Sequence, residues 1–126
     1  MMERKYLYFI DVGWRRHKIG ITGNIERRLN RLQKLNGKRK IAIHKIIFVR
    51  NAEGAEKMIL RYFADKRIHY KKFRGSGATE VMGLTWLDCY AVLAIMYYCQ
   101  HRAKWNVLLG IVLMGFMAMM YYSLLN

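Results

Sequence analysis

The chain has 126 residues, with 23 Lys and Arg against 8 acids and a formal net charge of +15. That length excludes more than one compact domain with short appendages, and the charge points to a polyanionic partner, nucleic acid or the anionic face of a membrane. The charge is unevenly spread: residues 1–80 hold 21 of the 23 bases and 7 of the 8 acids, a local net of +14, while nothing from Trp105 to Asn126 is charged. Cys89 and Cys99 lie in an apolar stretch. If it is helical, ten residues separate them by roughly 15 Å, beyond the roughly 7 Å a disulfide tolerates, so two free thiols and a reducing compartment are expected. No Cys/His cluster has zinc-ligand spacing, and the N-terminus lacks the long apolar run of a signal peptide.

In chain order, Tyr6-Leu7-Tyr8-Phe9-Ile10 is rich in the aromatic and branched residues of strands. Asp11 to Trp14 reads as a turn into a second strand, His17 to Ile21, completing a hairpin. Asn24 offers a cap for a helix that stops at Asn36-Gly37. A third strand runs from Ile41 to Val49, and Asn51 caps a second helix reaching about Lys66. A Gly- and Lys-rich loop spans Arg67 to Ala78. Thr85 and Asp88 have the spacing of a capping box for a third helix ending near His101. The expected fold is α+β: a small three-stranded antiparallel sheet flanked by helices and followed by a C-terminal transmembrane helix.

Helical periodicity exposes two anomalies. In the first helix Ile25, Leu29, Leu32 and Leu35 share one side and Arg27, Arg31 and Lys34 the other, yet Arg28 falls inside the apolar arc. In the second, Ala52, Ala55, Ile59 and Phe63 form the buried side, and Glu56 lies among them. A buried charge costs several kcal/mol unless it is paired or bound to a metal. The two could pair with each other, or sit at the core's edge with their charged heads in water.

The order of these residues resembles the GIY-YIG endonuclease superfamily over roughly residues 5–83. Leu7-Tyr8 stand where that family has Ile-Tyr in its first motif, with Tyr6 in place of glycine. Lys18-Ile19-Gly20 is similar to the second motif, with Lys18 in place of its tyrosine, as in a phage-type DNA-binding branch. Asn24-Ile25-Glu26-Arg27-Arg28-Leu29 resembles the helix bearing the family's essential arginine, and Glu56 resembles its metal-ligating glutamate. The resemblance implies hydrolysis of a DNA phosphodiester with one Mg²⁺ or Mn²⁺ ion held by Glu56. It implies that Arg28 clamps the phosphate and that Tyr8 orients or deprotonates water, with Lys18 as the fourth catalytic position. A lysine starts cationic and holds a phosphate more readily than it abstracts a proton, so a non-catalytic DNA-binding protein is the alternative.

Three basic clusters in turns and loops are candidate DNA contacts: Arg15 and Arg16; Lys38, Arg39 and Lys40; Lys71, Lys72 and Arg74. Such contacts grip phosphates without reading sequence. His44 and His69 read as structural or phosphate-contacting rather than metal ligands, and His17, beside the second motif, is ambiguous.

Asn106 to Leu125 are 20 uncharged residues, enough to cross the roughly 30 Å hydrocarbon core of a bilayer. Trp105 and Tyr121-Tyr122 mark its ends, and Arg102 and Lys104 favour a cytoplasmic N-terminal side. The preceding stretch, Val81 to Cys99, could pack on the domain, lie at the membrane surface or form a first span; a single span is expected. The expected divisions are a nuclease or DNA-binding domain at 1–83, an apolar helix and basic linker at 84–104, and a membrane helix at 105–126. The expected location is a membrane, with the N-terminal domain in the cytoplasm. A basic domain that binds anionic lipid headgroups is a third possibility, although it leaves Arg28 and Glu56 unexplained.

Overall fold

The computed structural model describes residues 3–75 and 80–126. The chain forms the strands β1 (Lys5–Gly13), β2 (Arg16–Thr22), β3 (Ala42–Val49), β4 (Arg67–Ile68) and β5 (Val81–Gly83). Its helices are α1 (Ile25–Asn36), α2 (Ala52–Tyr62), α3 (Trp86–Gln100) and α4 (Arg102–Leu125). The α+β class is as expected, but the sheet has five strands rather than three, in the order β3-β1-β2-β5-β4. The two additional strands are two and three residues long, too short to show a period-two pattern in sequence. They hold the sheet's far edge because β5 pairs with both β2 and β4. The expected loop from Arg67 to Ala78 therefore contains β4 and a 3₁₀ turn at Lys71–Phe73; its remainder from position 76 lies outside the described residues.

Alternation along β1 divides the core between the two faces of the sheet. Leu7 and Phe9, with Ile19 from β2, pack against Ala55, Ile59 and Phe63 of the α2 segment and against Val92 and Met96 of α3. Tyr8, Ile10 and Val12 face the other way, toward Leu32 of α1 and toward Tyr70 and Phe73. Of the three alternatives for the third helix, packing on the domain is the one found. Thr85 and Asp88 form the reciprocal capping box at its start, and a Lys66–Asp88 ion pair ties it to the 3₁₀ turn Ala64–Lys66, which follows α2 where the helix was expected to continue.

α1 departs from its expected periodicity at its last turn. Leu35 is exposed and the adjacent Asn36 is wholly buried. Asn36 donates to the carbonyls of Val12 and Arg39 at 3.2 and 3.0 Å and accepts from the Tyr70 hydroxyl at 2.7 Å. Those three bonds compensate the amide's burial, so the helix turns the polar residue inward and leaves the leucine outside. Gly37 then stops the helix in the left-handed region at φ 71°, where a Cβ would be strained.

α4 is a different kind of element. Among the described residues, Lys104–Leu125 is the one helix long and apolar enough to cross a membrane, and none of it is buried against the rest of the chain.

Candidate active site

The site forms where β1 and β2 run side by side beneath α1. Tyr8 is paired with Gly20 across the ladder, and both are buried. The Tyr8 ring lies over Gly20 so closely that a Cβ there would stand 2.3 Å from the hydroxyl oxygen. The glycine of the second motif is thus required by packing: it makes the hollow that seats the tyrosine. Arg28, half-buried in the apolar arc of α1, reaches down to this hydroxyl, and its Nε donates to the Tyr8 oxygen at 3.2 Å. The bond uses Nε rather than the terminal fork of the guanidinium, the part that takes a phosphate in bidentate fashion.

Lys18 has no exposed surface. Its Nζ donates to Glu80 at 2.8 Å and lies 5.9 Å from the centre of the Phe73 ring. Burial lowers its pKa, and the attraction of Glu80 opposes that shift. A solvated lysine on a strand surface is therefore not what occupies this position. Glu80 was not among the expected site residues. One signal was available: it is one of only eight acids in the chain and directly precedes the branched residue that begins β5. A lone glutamate in a loop, however, has no period to mark it as inward-facing.

Glu56 of α2 is half-buried, and its pKa is raised from 4.5 to about 7. Burial is the main cause and repulsion from Glu80 the second, while Lys18 and Arg28 pull it down. The two charges in apolar arcs, on separate helices, therefore act on one another and on the same lysine. Tyr8 belongs to the same electrostatic cluster: burial raises its pKa most, Arg28 lowers it, and Glu80 and Glu56 raise it. Two carboxyl groups that repel each other in a partly desolvated place suit a divalent cation, which takes oxygen ligands and relieves the repulsion. Glu56 and Glu80 are the acids of this cluster that would take part in holding such an ion.

The three basic clusters lie apart in sequence but are stitched together in space. The hairpin tip, Trp14-Arg15, has both residues at positive φ, 57° and 58°. That conformation matches the twist of a two-residue hairpin but is costly for residues other than glycine. It lifts Trp14 into solvent, where the Arg39 guanidinium stacks 4.1 Å from the ring centre. Arg16 lies 5.8 Å from the Tyr70 ring, next to Lys71, and Lys72 donates to the Asn36 carbonyl, beside Lys38. Arg15, Arg16, Lys38, Lys40, Lys71, Lys72 and Arg74 are exposed and Arg39 is half-buried. Arg16, Arg39 and Lys72 thus link the hairpin tip, the end of α1 and the Lys71–Phe73 turn, whereas Arg15 lines a groove with His17 and His44 on the opposite face of the sheet.

Comparison with curated proteins and with solved structures gives no match in either case. The sequence profile of the T5orf172 domain matches residues 5–96, a span that takes in the Tyr8–Arg28 site, Glu56, Glu80 and most of α3. The chain therefore belongs to the T5orf172 domain family.

Proposed function

We propose that the protein is a membrane-tethered DNA endonuclease of the GIY-YIG type, hydrolysing phosphodiesters with one divalent metal ion. T5orf172 membership supports a nuclease or DNA-binding role. The observation that supports the catalytic reading is the Arg28–Tyr8 hydrogen bond between α1 and β1, with the half-buried carboxyl of Glu56 on α2 within electrostatic reach of both. Glu56 would hold the ion, with Glu80 as a second acid. The chemistry a divalent ion supplies at such a site is neutralisation of charge on the leaving oxygen. Arg28 covers the Tyr8 hydroxyl. A phosphate drawn to the guanidinium fork would pull Arg28 outward and open that hydroxyl to an attacking water, which Tyr8 would then orient. The surrounding basic residues would hold the DNA backbone with little sequence preference. α4 would anchor the domain to a bilayer, with Arg102 and Lys104 favouring a cytoplasmic domain.

One observation favours a second reading, DNA binding without cleavage. The position at which this superfamily has a tyrosine holds a lysine, and its ammonium is buried against Glu80 rather than directed at a substrate. Nicking of supercoiled plasmid by the full chain in detergent, with Mg²⁺ and then with EDTA, separates the two. Cleavage is expected with Mg²⁺ and a loss of about 10²-fold or more in Arg28→Ala and in Glu56→Ala. Equal cleavage by all three proteins would overturn the site, and retarded DNA with no cleavage at all would establish the binding reading.

A further inference from the structure

The opposite face of the sheet carries a second cluster of chemically capable side chains. His17 of β2, His44 of β3 and Cys89 of α3 each offer a ligand atom, and these atoms lie within 4.8 Å of one another. Cys89 Sγ is 3.5 Å from His17 Nε2. A tetrahedral zinc ion with bonds of ~2.05 Å to nitrogen and ~2.3 Å to sulfur places those two ligands roughly 3.5 Å apart, so this edge of the polyhedron is already formed. The two imidazoles have ring centres 5.1 Å apart and flank Phe9, at 5.5 and 5.0 Å.

The backbone brings His44 here by an irregularity. Phe9 pairs with Lys45 and Ile10 with Ile43, so His44 is the extra residue of a β-bulge. In a regular strand it would share a face with Ile46, which packs on the Tyr8 side; the bulge turns it onto the Phe9 side instead. His17 and Lys18 are neighbours on β2 and point to opposite faces, which separates this cluster from the nuclease-type site. His17 is nearly wholly buried, and among the described residues no group makes a well-formed hydrogen bond to its Nδ1, the Arg15 backbone being the nearest influence on the ring. Cys89 sits in the first turn of α3, and burial with the nearby Asp11 and Asp88 raises its thiol pKa, so the proton leaves only as a cation binds. Asp11 lines the same groove, with one carboxylate oxygen accepting from Gly13 N at 2.7 Å.

We propose that His17, His44 and Cys89 form a zinc site, with a water as fourth ligand. On binding, the Cys89 thiol gives its proton to solvent and the thiolate joins two neutral imidazoles, a donor set that suits Zn²⁺. Because the ligands come from β2, β3 and α3, the ion clips α3 to the sheet, just before the chain enters α4. No zinc-like spacing is visible in the sequence because the ligands are 27 and 45 residues apart and converge only through the bulge and the packing of α3.

The site does not depend on the nuclease reading and can be tested without it. Metal-free full chain in detergent is titrated with Co²⁺, which gives a thiolate-to-cobalt charge-transfer band when a cysteine binds it, and Zn²⁺ is then added to displace it. The expected result is a band from one equivalent of Co²⁺, bleached by Zn²⁺, absent in Cys89→Ser and retained in Cys99→Ser. His44→Ala alters an exposed residue, so its fold should survive. Its ion affinity should fall by more than the roughly 10–100-fold loss typical of removing an outer-shell partner, and Zn²⁺ should no longer raise its Tm as it does for the native chain. Absence of a thiolate band, its persistence in Cys89→Ser, or an equal Zn²⁺-induced rise in Tm in His44→Ala would each overturn the assignment.

Discussion

Residues 5–96 and the helix α4 use apolar and polar residues in opposite ways. In the domain, the two polar residues described with no exposed surface have partners: Lys18 has Glu80, and Asn36 has Val12, Arg39 and Tyr70. α4 is apolar and uncharged beyond Lys104, yet its side chains lie exposed along its length. A water-soluble fold buries its apolar surface against itself, and an exposed apolar helix of this length fits the proposal that α4 lies in a bilayer. On that proposal one chain carries two solvation regimes, and a charge removed from water is costly in both, so the informative charges are those of the domain, where Lys18 is buried with a partner.

The largest effect should come from cutting the chain between the two regimes. Ending it after Gln100 is expected to abolish membrane association completely while leaving the domain folded, because Val92 and Met96, which anchor α3, are retained. Flotation in a lipid gradient with circular dichroism checks both parts. A truncated protein that still floats would mean that the basic domain itself binds headgroups.

Next in size is the buried pair. Glu80→Gln takes the countercharge from a lysine with no exposed surface and should cost about 2 kcal/mol, less than the about 3–5 of fully buried pairs because Glu80 is partly exposed. Lys18→Met removes the buried charge itself and should cost under about 1 kcal/mol. Urea unfolding of the truncated domain measures the difference, and equal losses would mean that the pair contributes only packing.

Two glycines sharpen the contrast further. Gly20→Ala drives a methyl group into the Tyr8 hydroxyl and should cost about 1–3 kcal/mol while displacing the tyrosine from Arg28, a change visible in tyrosine fluorescence. Gly115→Ala on α4 meets nothing within 4 Å and should leave both folding and membrane association unchanged.

The last prediction is a pH dependence, discounted because Glu56 is only half-buried. Glu56 keeps its proton to about pH 7 in the folded chain, against about 4.5 as its ordinary value. Between those values the native state binds more protons than the unfolded state, so the Glu56 contribution lowers stability as pH rises and levels off above about 7. Glu56→Gln should therefore be more stable than the native domain at pH 8 and equal to it at pH 4, as thermal melts across that range would show. A constant difference at every pH would rule out the buried carboxyl as its source.

Much of this architecture is legible in the residues alone. The hairpin, the caps at Asn24, Asn51 and Thr85 and the uncharged terminal helix follow from local chemistry: strand propensity, orphan helix N–H groups and the length of a bilayer. Arg28 and Glu56 stand out because a helix has a fixed period and each breaks it. The strands β4 and β5 show no such signal, since two or three residues carry no period, and Leu35 and Asn36 exchanged their expected places because hydrogen bonds from distant residues outweighed the pattern.

What the sequence determined by itself was therefore everything with a repeat, a cap or a charge in an apolar arc. Only the tertiary structure decided which of those residues meet. Glu80 reaches Lys18 from 62 positions away, and His44 is turned toward His17 by a single bulged residue. The physical reason is that period and propensity act over a few neighbouring residues, whereas a site is made by strand register and helix packing, which no short stretch of chain contains.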